Sequence, residues 1–196
     1  MVKTTQIVES KMELSEKQVS NILRAGTILP MDALHAPWRI QYVLGPKRIG
    51  SDVSLFTEVG QSSDDDGNYV ILRGKSCFAM LNAYPYSGGH LMVIPYRQIP
   101  DWNGLVDLEL LELLQVVRHC QNALTRVMKP DAFNVGVNIG QAAGAGIAEH
   151  LHIHVVPRWK GDTNFMPVIA QTTTIPEALR ETAAKLRAEL ANNLYR

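Results

Sequence analysis

The residues best suited to chemistry lie in one short stretch, EHLHIHVVPRW at 149–159, which holds half of the chain's six histidines. These are His150, His152 and His154. Alternation of imidazole and aliphatic side chains is typical of a half-buried β-strand. Because successive side chains of a strand point to opposite faces, the imidazoles are expected on one face and Leu151, Ile153 and Val155 in a core. Pro157 cannot donate a ladder hydrogen bond and is expected to end the strand.

Three kinds of role are open to such a row of histidines. The first is structural, with the imidazoles as polar side chains on a solvated face. The second is a metal site, since zinc accepts imidazole ligands. At a rise of about 3.3 Å per residue, however, three adjacent row positions span about 13 Å, so the outer pair would reach one ion only with distortion.

The third role is nucleophilic catalysis. Neutral imidazole is abundant near neutral pH and is a good nucleophile, and its row neighbours can hold substrate oxygens and protonate a leaving group. The glycine-rich segment GQAAGAG at 140–146 comes directly before the row. Backbone N–H groups in such a loop can bind anionic oxygens. The combination favours phosphate chemistry, although the metal and solvated-face roles remain open on these grounds.

Several elements are predicted to position this row. The apolar period of residues 107–128 predicts an amphipathic helix, with Asp107 and Glu109 at its positive N-terminal end. His119 on that helix is expected at the surface or in packing. Further helices are predicted at 12–26 and 176–194, and a strand at 132–140. Three short strands are predicted in YVILRG, CFAMLNAYP and HLMVIP.

These elements indicate an α+β fold, an antiparallel sheet with helices packed on it. The acidic segment TEVGQSSDDDGN at 57–68 is expected to be a solvated turn region.

Composition argues against several classes of partner. Nineteen basic and nineteen acidic residues give a formal charge of zero, so nothing favours nucleic acid or a membrane surface. The chain has no apolar run of about 20 residues, and its first residues show no secretory signal. Cys77 and Cys120 fit no paired framework, so both are expected as small core residues of a cytoplasmic protein.

The segment HLHIHVV fits the pattern His-φ-His-φ-His-φ-φ, with φ an apolar residue, and resembles the histidine triad family. The segments at 35–43, 81–97 and 133–166 resemble the branch with fragile-histidine-triad hydrolases and bacterial dinucleoside polyphosphate phosphorylases. The resemblance covers residues 35–195. It implies a domain at 35–196 after an N-terminal extension at 1–34. It also implies an antiparallel sheet with two main helices, paired into a homodimer.

The resemblance also implies roles for individual residues. His152 should be the nucleophile, and residue 150 should orient it through its backbone carbonyl. His154 should contact the α-phosphate and the bridging oxygen, and His90 matches the family's upstream histidine. The substrate-binding positions implied are Asn82 for ribose, Asn138 for phosphate, and the loop formed by Gly144, Ala145 and Gly146.

The activity implied is that of a nucleotidyl hydrolase or transferase. It would cleave dinucleoside polyphosphates, such as diadenosine tri- or tetraphosphate, at the α-phosphate. The alternatives are a diadenosine tetraphosphate phosphorylase, with inorganic phosphate as acceptor, and a nucleotide-binding regulatory module with little activity. Gly146 stands where the small hydrolases carry a phosphate-binding glutamine.

Metal requirements follow from the same resemblance. Mg²⁺ is expected to arrive with the substrate phosphates. No structural zinc is expected, because residues 50–56 lack the paired cysteines of many bacterial relatives. Arg158 and Lys160, at the end of the histidine strand, could meet distal phosphates or be solvated surface.

Overall fold

The computed structural model describes residues 53–162 and 177–193, all within the compact unit Ala36–Arg196. The predicted helix at 12–26 and the N-terminal extension at 1–34 lie outside the described residues. The described helices are α1 (Leu55–Gln61), α2 (Asp107–Met128) and α3 (Leu179–Asn193). The strands are β1 (Val70–Arg73), β2 (Cys77–Leu81), β3 (Leu91–Pro95), β4 (Ala132–Val137) and β5 (Ile153–Arg158).

The five strands form one sheet in the order β1-β2-β3-β5-β4, and every neighbouring pair is antiparallel. The predicted α+β class, with an antiparallel sheet and two main helices, is therefore confirmed. The helix predicted from the apolar period of residues 107–128 has those same bounds.

Both faces of the central strands are buried, because helices cover the sheet on either side. On one face, β2, β3 and β5 pack against α2 and α3. The opposite face contributes Phe78, Met80 and Met92 to a second cluster with Phe56 and Val59 of α1. β2 and β3 are consequently buried at every residue, so their sequences read as continuous apolar runs.

The histidine strand differs from its prediction in two respects. It begins at Ile153, so His150 and His152 lie in the segment that leads into it. It also continues through Pro157, which is paired with Phe133 of β4. The Pro157 carbonyl accepts from the Ser87 hydroxyl at 2.8 Å, away from β4. A strand residue's nitrogen points to the same side as its carbonyl, so the missing N–H breaks no β4–β5 hydrogen bond.

The acidic segment forms the predicted turn at 65–68, with Asp64 and Asp66 exposed, but it also includes part of a helix. Its first residues belong to α1, which begins after the N-cap residue Ser54. Asp65 then forms an ion pair with Arg73 of β1 at 2.7 Å, and Asp66 forms one with Arg187 of α3. The acidic residues therefore tie the edge of the sheet to a helix.

The two cysteines are buried in the core, as predicted, and burial raises the pKa of each thiol to about 12. None of the helices within the described ranges has the length and apolarity needed to cross a membrane.

The N-terminus of α2 depends on Glu109. The N-cap residue Val106 has no side-chain acceptor for the helix N–H groups, which leaves one capping contact: the Glu109 carboxylate accepts the Val106 backbone N–H at 3.0 Å. Arg97 also donates to this carboxylate, at 2.5 and 2.8 Å. Hydrogen bonds from Arg97 first and Val106 second lower the pKa of Glu109 from 4.5 to about 2.

A carboxyl whose pKa falls on folding stabilises the fold above its unfolded pKa, and the effect is lost as pH falls from 4.5 towards 2. Glu109→Gln should lower the free energy of unfolding at pH 7 by roughly 1 kcal/mol. It should also flatten the loss of stability between those pH values, as measured by urea unfolding. Asp107→Asn removes a charge from the same turn and serves as the control. An unchanged acid profile in Glu109→Gln would contradict this account.

Candidate active site

Three separate segments meet on the α1 face of the sheet, where β3 and β5 lie side by side. His154 is paired with Met92 across these strands, and Met92 faces α1. His154 therefore lies on the face opposite Ile153 and Val155, as the alternation predicted. Phe56 of α1 contacts the rings of His150 and His152, with centroids at 5.6 and 5.1 Å.

The histidine row is more deeply buried than a half-buried strand would be. His150 is 0% and His152 5% exposed, whereas His154 is partly exposed. The solvated-face role therefore does not fit, since this face is covered by α1. The rings of His152 and His154 lie edge to face with centroids 4.9 Å apart.

A backbone carbonyl fixes the tautomer of His152. Its Nδ1 lies 2.8 Å from the carbonyl oxygen of His150. A carbonyl can only accept a hydrogen bond, so the hydrogen of a neutral His152 ring is on Nδ1. Nε2 then carries the lone pair, which is the arrangement a nucleophilic imidazole requires.

The His150 imidazole is itself held at both nitrogens. Nε2 lies 2.8 Å from the Pro95 carbonyl, and Nδ1 lies 2.5 Å from the Ser54 hydroxyl. Burial lowers the pKa of His150, partly opposed by its hydrogen bond to Pro95. The neutral ring donates from Nε2 to Pro95 and accepts at Nδ1 from Ser54.

A second chain of hydrogen bonds fixes His154. The Tyr86 backbone N–H donates to His90 Nδ1 at 3.1 Å, which places the ring hydrogen of His90 on Nε2. That Nε2 lies 3.0 Å from His154 Nδ1. His154 therefore accepts at Nδ1 and carries its own hydrogen on Nε2, where it can serve as a donor. The Tyr86 ring stacks on His90, with centroids 4.9 Å apart and planes 13° from parallel.

The loop before His90 needs glycine immediately ahead of it. Gly89 has a φ of +74°, and a Cβ there would lie 2.6 Å from the Met128 sulfur and 3.0 Å from Leu124 Cδ2. A side chain at this position would push the loop away from α2. The loop is closed by the Asn82 N–H, which donates to the His90 carbonyl at 2.9 Å.

The structure places Asn82 beside His90. The glycine-rich segment forms a separate turn that is closed by hydrogen bonds between its own residues. The Asn82 side-chain amide lies 3.5 Å from His90 Nδ1, and its Oδ1 accepts from the Tyr84 N–H. Asn138 follows β4 and is half-buried. Two of the predicted phosphate-binding amides are engaged within the turn, because Gly144 donates to Gln141 at 2.9 Å and Ala145 to Gly140 at 3.4 Å. Gly146 is exposed in the segment that leads to His150.

Two other positions considered in the sequence lie apart from this arrangement. Arg158 donates to both Asp162 oxygens, at 2.5 and 2.8 Å, so its guanidinium closes a turn. His119 is half-buried on α2, and burial lowers its pKa. Neither residue contacts the histidine row in the hydrogen bonds described.

Sequence reasoning missed Ser54, Phe56 and Tyr86. Ser54 carries a recognisable signal, since serine is favoured at a helix N-cap. No pattern, however, links Ser54 to His150, which lies 96 residues later. Phe56 and Tyr86 lie in segments, 50–56 and 81–97, whose local pattern gives no sign of a contact with the histidine row.

Sequence comparison with known proteins gives a matching family model and similar proteins of named activity. Residues 65–161 match the family model for the HIT domain. The chain is 42% identical over 167 residues to the AP-4-A phosphorylase of Mycobacterium tuberculosis, covering 82% of this chain and 85% of the relative. It is 36% identical over 96 residues to the asymmetrical bis(5'-nucleosyl)-tetraphosphatase of Schizosaccharomyces pombe, covering 49% and 52% of the two chains.

Solved structures agree on the fold. A Zn-bound histidine triad family protein from Mycobacterium smegmatis aligns with a TM-score of 0.56 at 24% identity, over 70% of this chain and 93% of that chain. A hypothetical histidine triad nucleotide-binding protein from Sulfolobus tokodaii aligns with a TM-score of 0.54 at 28% identity, over 63% and 84%.

The hydrogen-bond partners predict the ring tautomers at neutral pH. Long-range ¹H–¹⁵N correlation spectra should show the ring hydrogen of His152 on Nδ1 and those of His150 and His90 on Nε2. Replacing each histidine in turn assigns the signals. A His152 ring protonated at Nε2 would contradict this geometry.

Proposed function

Since this chain belongs to the histidine triad (HIT) family, we propose that it cleaves dinucleoside polyphosphates at the α-phosphate through a covalent nucleotidyl-histidine on His152. The observation that carries this proposal is the hydrogen bond from His152 Nδ1 to the His150 carbonyl. It places the lone pair on Nε2 of a buried ring, beside the ring of His154.

The reaction takes two displacements at phosphorus. His152 Nε2 attacks the α-phosphorus of diadenosine tetraphosphate, the bond to the bridging oxygen breaks, and ATP leaves. His154, with its hydrogen on Nε2, donates to that oxygen as negative charge develops there. An acceptor oxygen then attacks the adenylyl-histidine, and the His152 ring is released for another cycle.

Inorganic phosphate is the acceptor we propose, which makes the activity phosphorolysis with ADP and ATP as products. The support is the relative named AP-4-A phosphorylase, whose similarity extends over 82% of this chain. The second candidate is hydrolysis, with water as acceptor and AMP and ATP as products. It is supported by the relative named asymmetrical bis(5'-nucleosyl)-tetraphosphatase, which covers 49% of this chain.

The substrate-binding residues follow the family resemblance. We propose that Asn82 binds ribose, and that Asn138 and the loop at 144–146 lie along the phosphates. The Asn82 side-chain amide is close to His90, which supports a ribose position beside the hydrogen bonds that link His90 and His154. The Gly144 and Ala145 amides donate within their own turn, so a phosphate would have to compete with those bonds or use the Gly146 N–H.

Mg²⁺ would be bound mainly by the substrate. Within the described ranges, no group of three His, Cys, Asp or Glu side chains could hold a metal ion. Mg²⁺ commonly keeps several waters and binds substrate phosphates, where it would offset their negative charge. We also propose that the fold requires no structural zinc, and that the protein works in the cytoplasm, where its two buried thiols stay reduced.

A homodimer is proposed from two exposed apolar surfaces. Among the described residues, β4 pairs on one side only, and its Val135 is 47% exposed. On α2, Leu108, Leu111 and Leu114 are all more than half exposed. Unpaired strand edges and apolar patches are usual places for a second chain to pack.

The dimer is tested by sedimentation at micromolar concentration. The natural sequence should sediment as a dimer, and Val135→Lys should shift it to monomer by placing a charge at the strand edge. A monomer in the natural sequence would overturn the proposal.

The acceptor is tested by product analysis with diadenosine tetraphosphate and Mg²⁺, with and without inorganic phosphate. We expect ADP and ATP, and only when phosphate is present. AMP and ATP without phosphate would establish hydrolysis instead. No turnover in either condition would overturn the proposed substrate and favour a nucleotide-binding module.

The control variant is His152→Ala, which should abolish the adenylyl-enzyme and lower kcat by on the order of 10⁴-fold or more, while nucleotide binding is retained. Unchanged turnover in this variant would remove His152 from the mechanism.

A further inference from the structure

A cluster of polar side chains lies behind the histidine row, on the side of α1. It contains the buried Ser54 and His150, the half-buried Thr57 and the exposed Gln98. We propose that the Ser54 hydroxyl is a positioning residue for the nucleophile, acting on His152 through the ring and backbone of His150. This inference rests on the proposed function, because it concerns the same histidine.

The direction of each hydrogen bond follows from chemistry. Pro95 offers only a carbonyl, so His150 Nε2 donates to it and Nδ1 must accept. The Ser54 hydroxyl, 2.5 Å from Nδ1, is therefore the donor. The Ser54 oxygen also accepts the Thr57 N–H at 3.2 Å as the N-cap of α1. The first turn of a helix and the first histidine of the row thus share one hydroxyl.

Gln98 holds Ser54 in place. Its Oε1 accepts from the Ser54 backbone N–H at 2.7 Å and from the Thr57 hydroxyl at 3.2 Å. Gln98 follows β3, and Pro95 is the last residue of that strand. Both nitrogens of His150 are therefore anchored to the end of β3, one directly through Pro95 and the other through Ser54 and Gln98.

The burial of Ser54 and His150 makes the hydrogen bond between them costly to lose. Ser54 is 2% and His150 0% exposed, so water cannot readily replace a missing partner. Burial also lowers the pKa of His150, which keeps its Nδ1 available as an acceptor at neutral pH. Without the Ser54 hydroxyl, Nδ1 of the His150 ring would be buried without a hydrogen-bond donor, and rotation of the ring would be favoured.

Rotation of the His150 ring would affect His152 through the His150 backbone. The His150 carbonyl accepts from His152 Nδ1 at 2.8 Å, so a shift in this residue's backbone moves the group that fixes the nucleophile's tautomer. Phe56 packs against both rings and belongs to the same helix that Ser54 caps. Displacements of about 1 Å at a reacting atom can cost on the order of 100-fold in rate.

Two deletion variants separate positioning from helix capping. Ser54→Ala removes both the hydroxyl and the helix cap, whereas glycine is nearly as good as serine at an N-cap. Ser54→Gly should therefore unfold at a higher temperature than Ser54→Ala. If Ser54 acts on the nucleophile, both variants should lose kcat equally, by on the order of 10- to 100-fold. KM should change less than threefold.

Two further variants act as controls. Ser54→Thr keeps the hydroxyl and should restore most of kcat. Thr182→Ala removes another buried hydroxyl, which donates to Glu177 at 2.9 Å near the start of α3. It should lower the unfolding temperature and leave kcat unchanged. A kcat that follows stability across the four variants would overturn the proposal and leave Ser54 as a helix cap alone.

A readout without substrate distinguishes this inference from the proposed function. In ¹H–¹⁵N spectra, His152 should change from one tautomer, protonated at Nδ1, to a mixture in Ser54→Ala and Ser54→Gly. Failure of the natural sequence to cleave diadenosine tetraphosphate would count against the proposed function only, and the spectra would still decide the role of Ser54. An unchanged His152 tautomer in both deletion variants would overturn it.

Discussion

The hydrogen bond between His152 Nδ1 and the His150 carbonyl is the interaction on which the site depends. An imidazole has two nitrogens of similar basicity, and only the one without hydrogen can attack. Most of the neighbouring structure serves to place this carbonyl. The His150 ring is held between Ser54 and Pro95, and this anchoring fixes the residue whose backbone oxygen accepts from His152.

The sheet provides the rigid base for this arrangement. β2 and β3 are buried on both faces, so β3, which pairs with the histidine strand, has little freedom to shift. α2 and α3 cover one face and contribute no residue to the histidine row. α1 covers the other, and its two contributions are the Ser54 hydroxyl at the N-cap and the Phe56 ring in the first turn. This short helix packs on the rings of His150 and His152, which are therefore more buried than on an uncovered strand surface.

Much of this could be predicted from the sequence where the signal is local and periodic. The alternation around His154 indicated its face, and the apolar period of α2 gave its bounds. The sequence-based prediction was incomplete where a residue's local preference did not show its partner in the fold. Pro157 suggested a strand end, but its nitrogen side faces away from β4, so the strand continues. The acidic run suggested a solvated turn, which the structure has, but the ion pairs of Asp65 and Asp66 with arginines of β1 and α3 had no local signal.

The sequence by itself therefore determined the histidine spacing, the class of fold and the kind of chemistry that three imidazoles allow. Only the tertiary structure decided which nitrogen of the His150 ring carries the hydrogen. The partners that decide it are the Ser54 hydroxyl, 96 residues from His150, and the Pro95 carbonyl, 55 residues away. Periodicity reports only on neighbours within a few residues. A hydrogen bond between distant segments exists once the chain has folded, because packing of the whole sheet brings its donor and acceptor together.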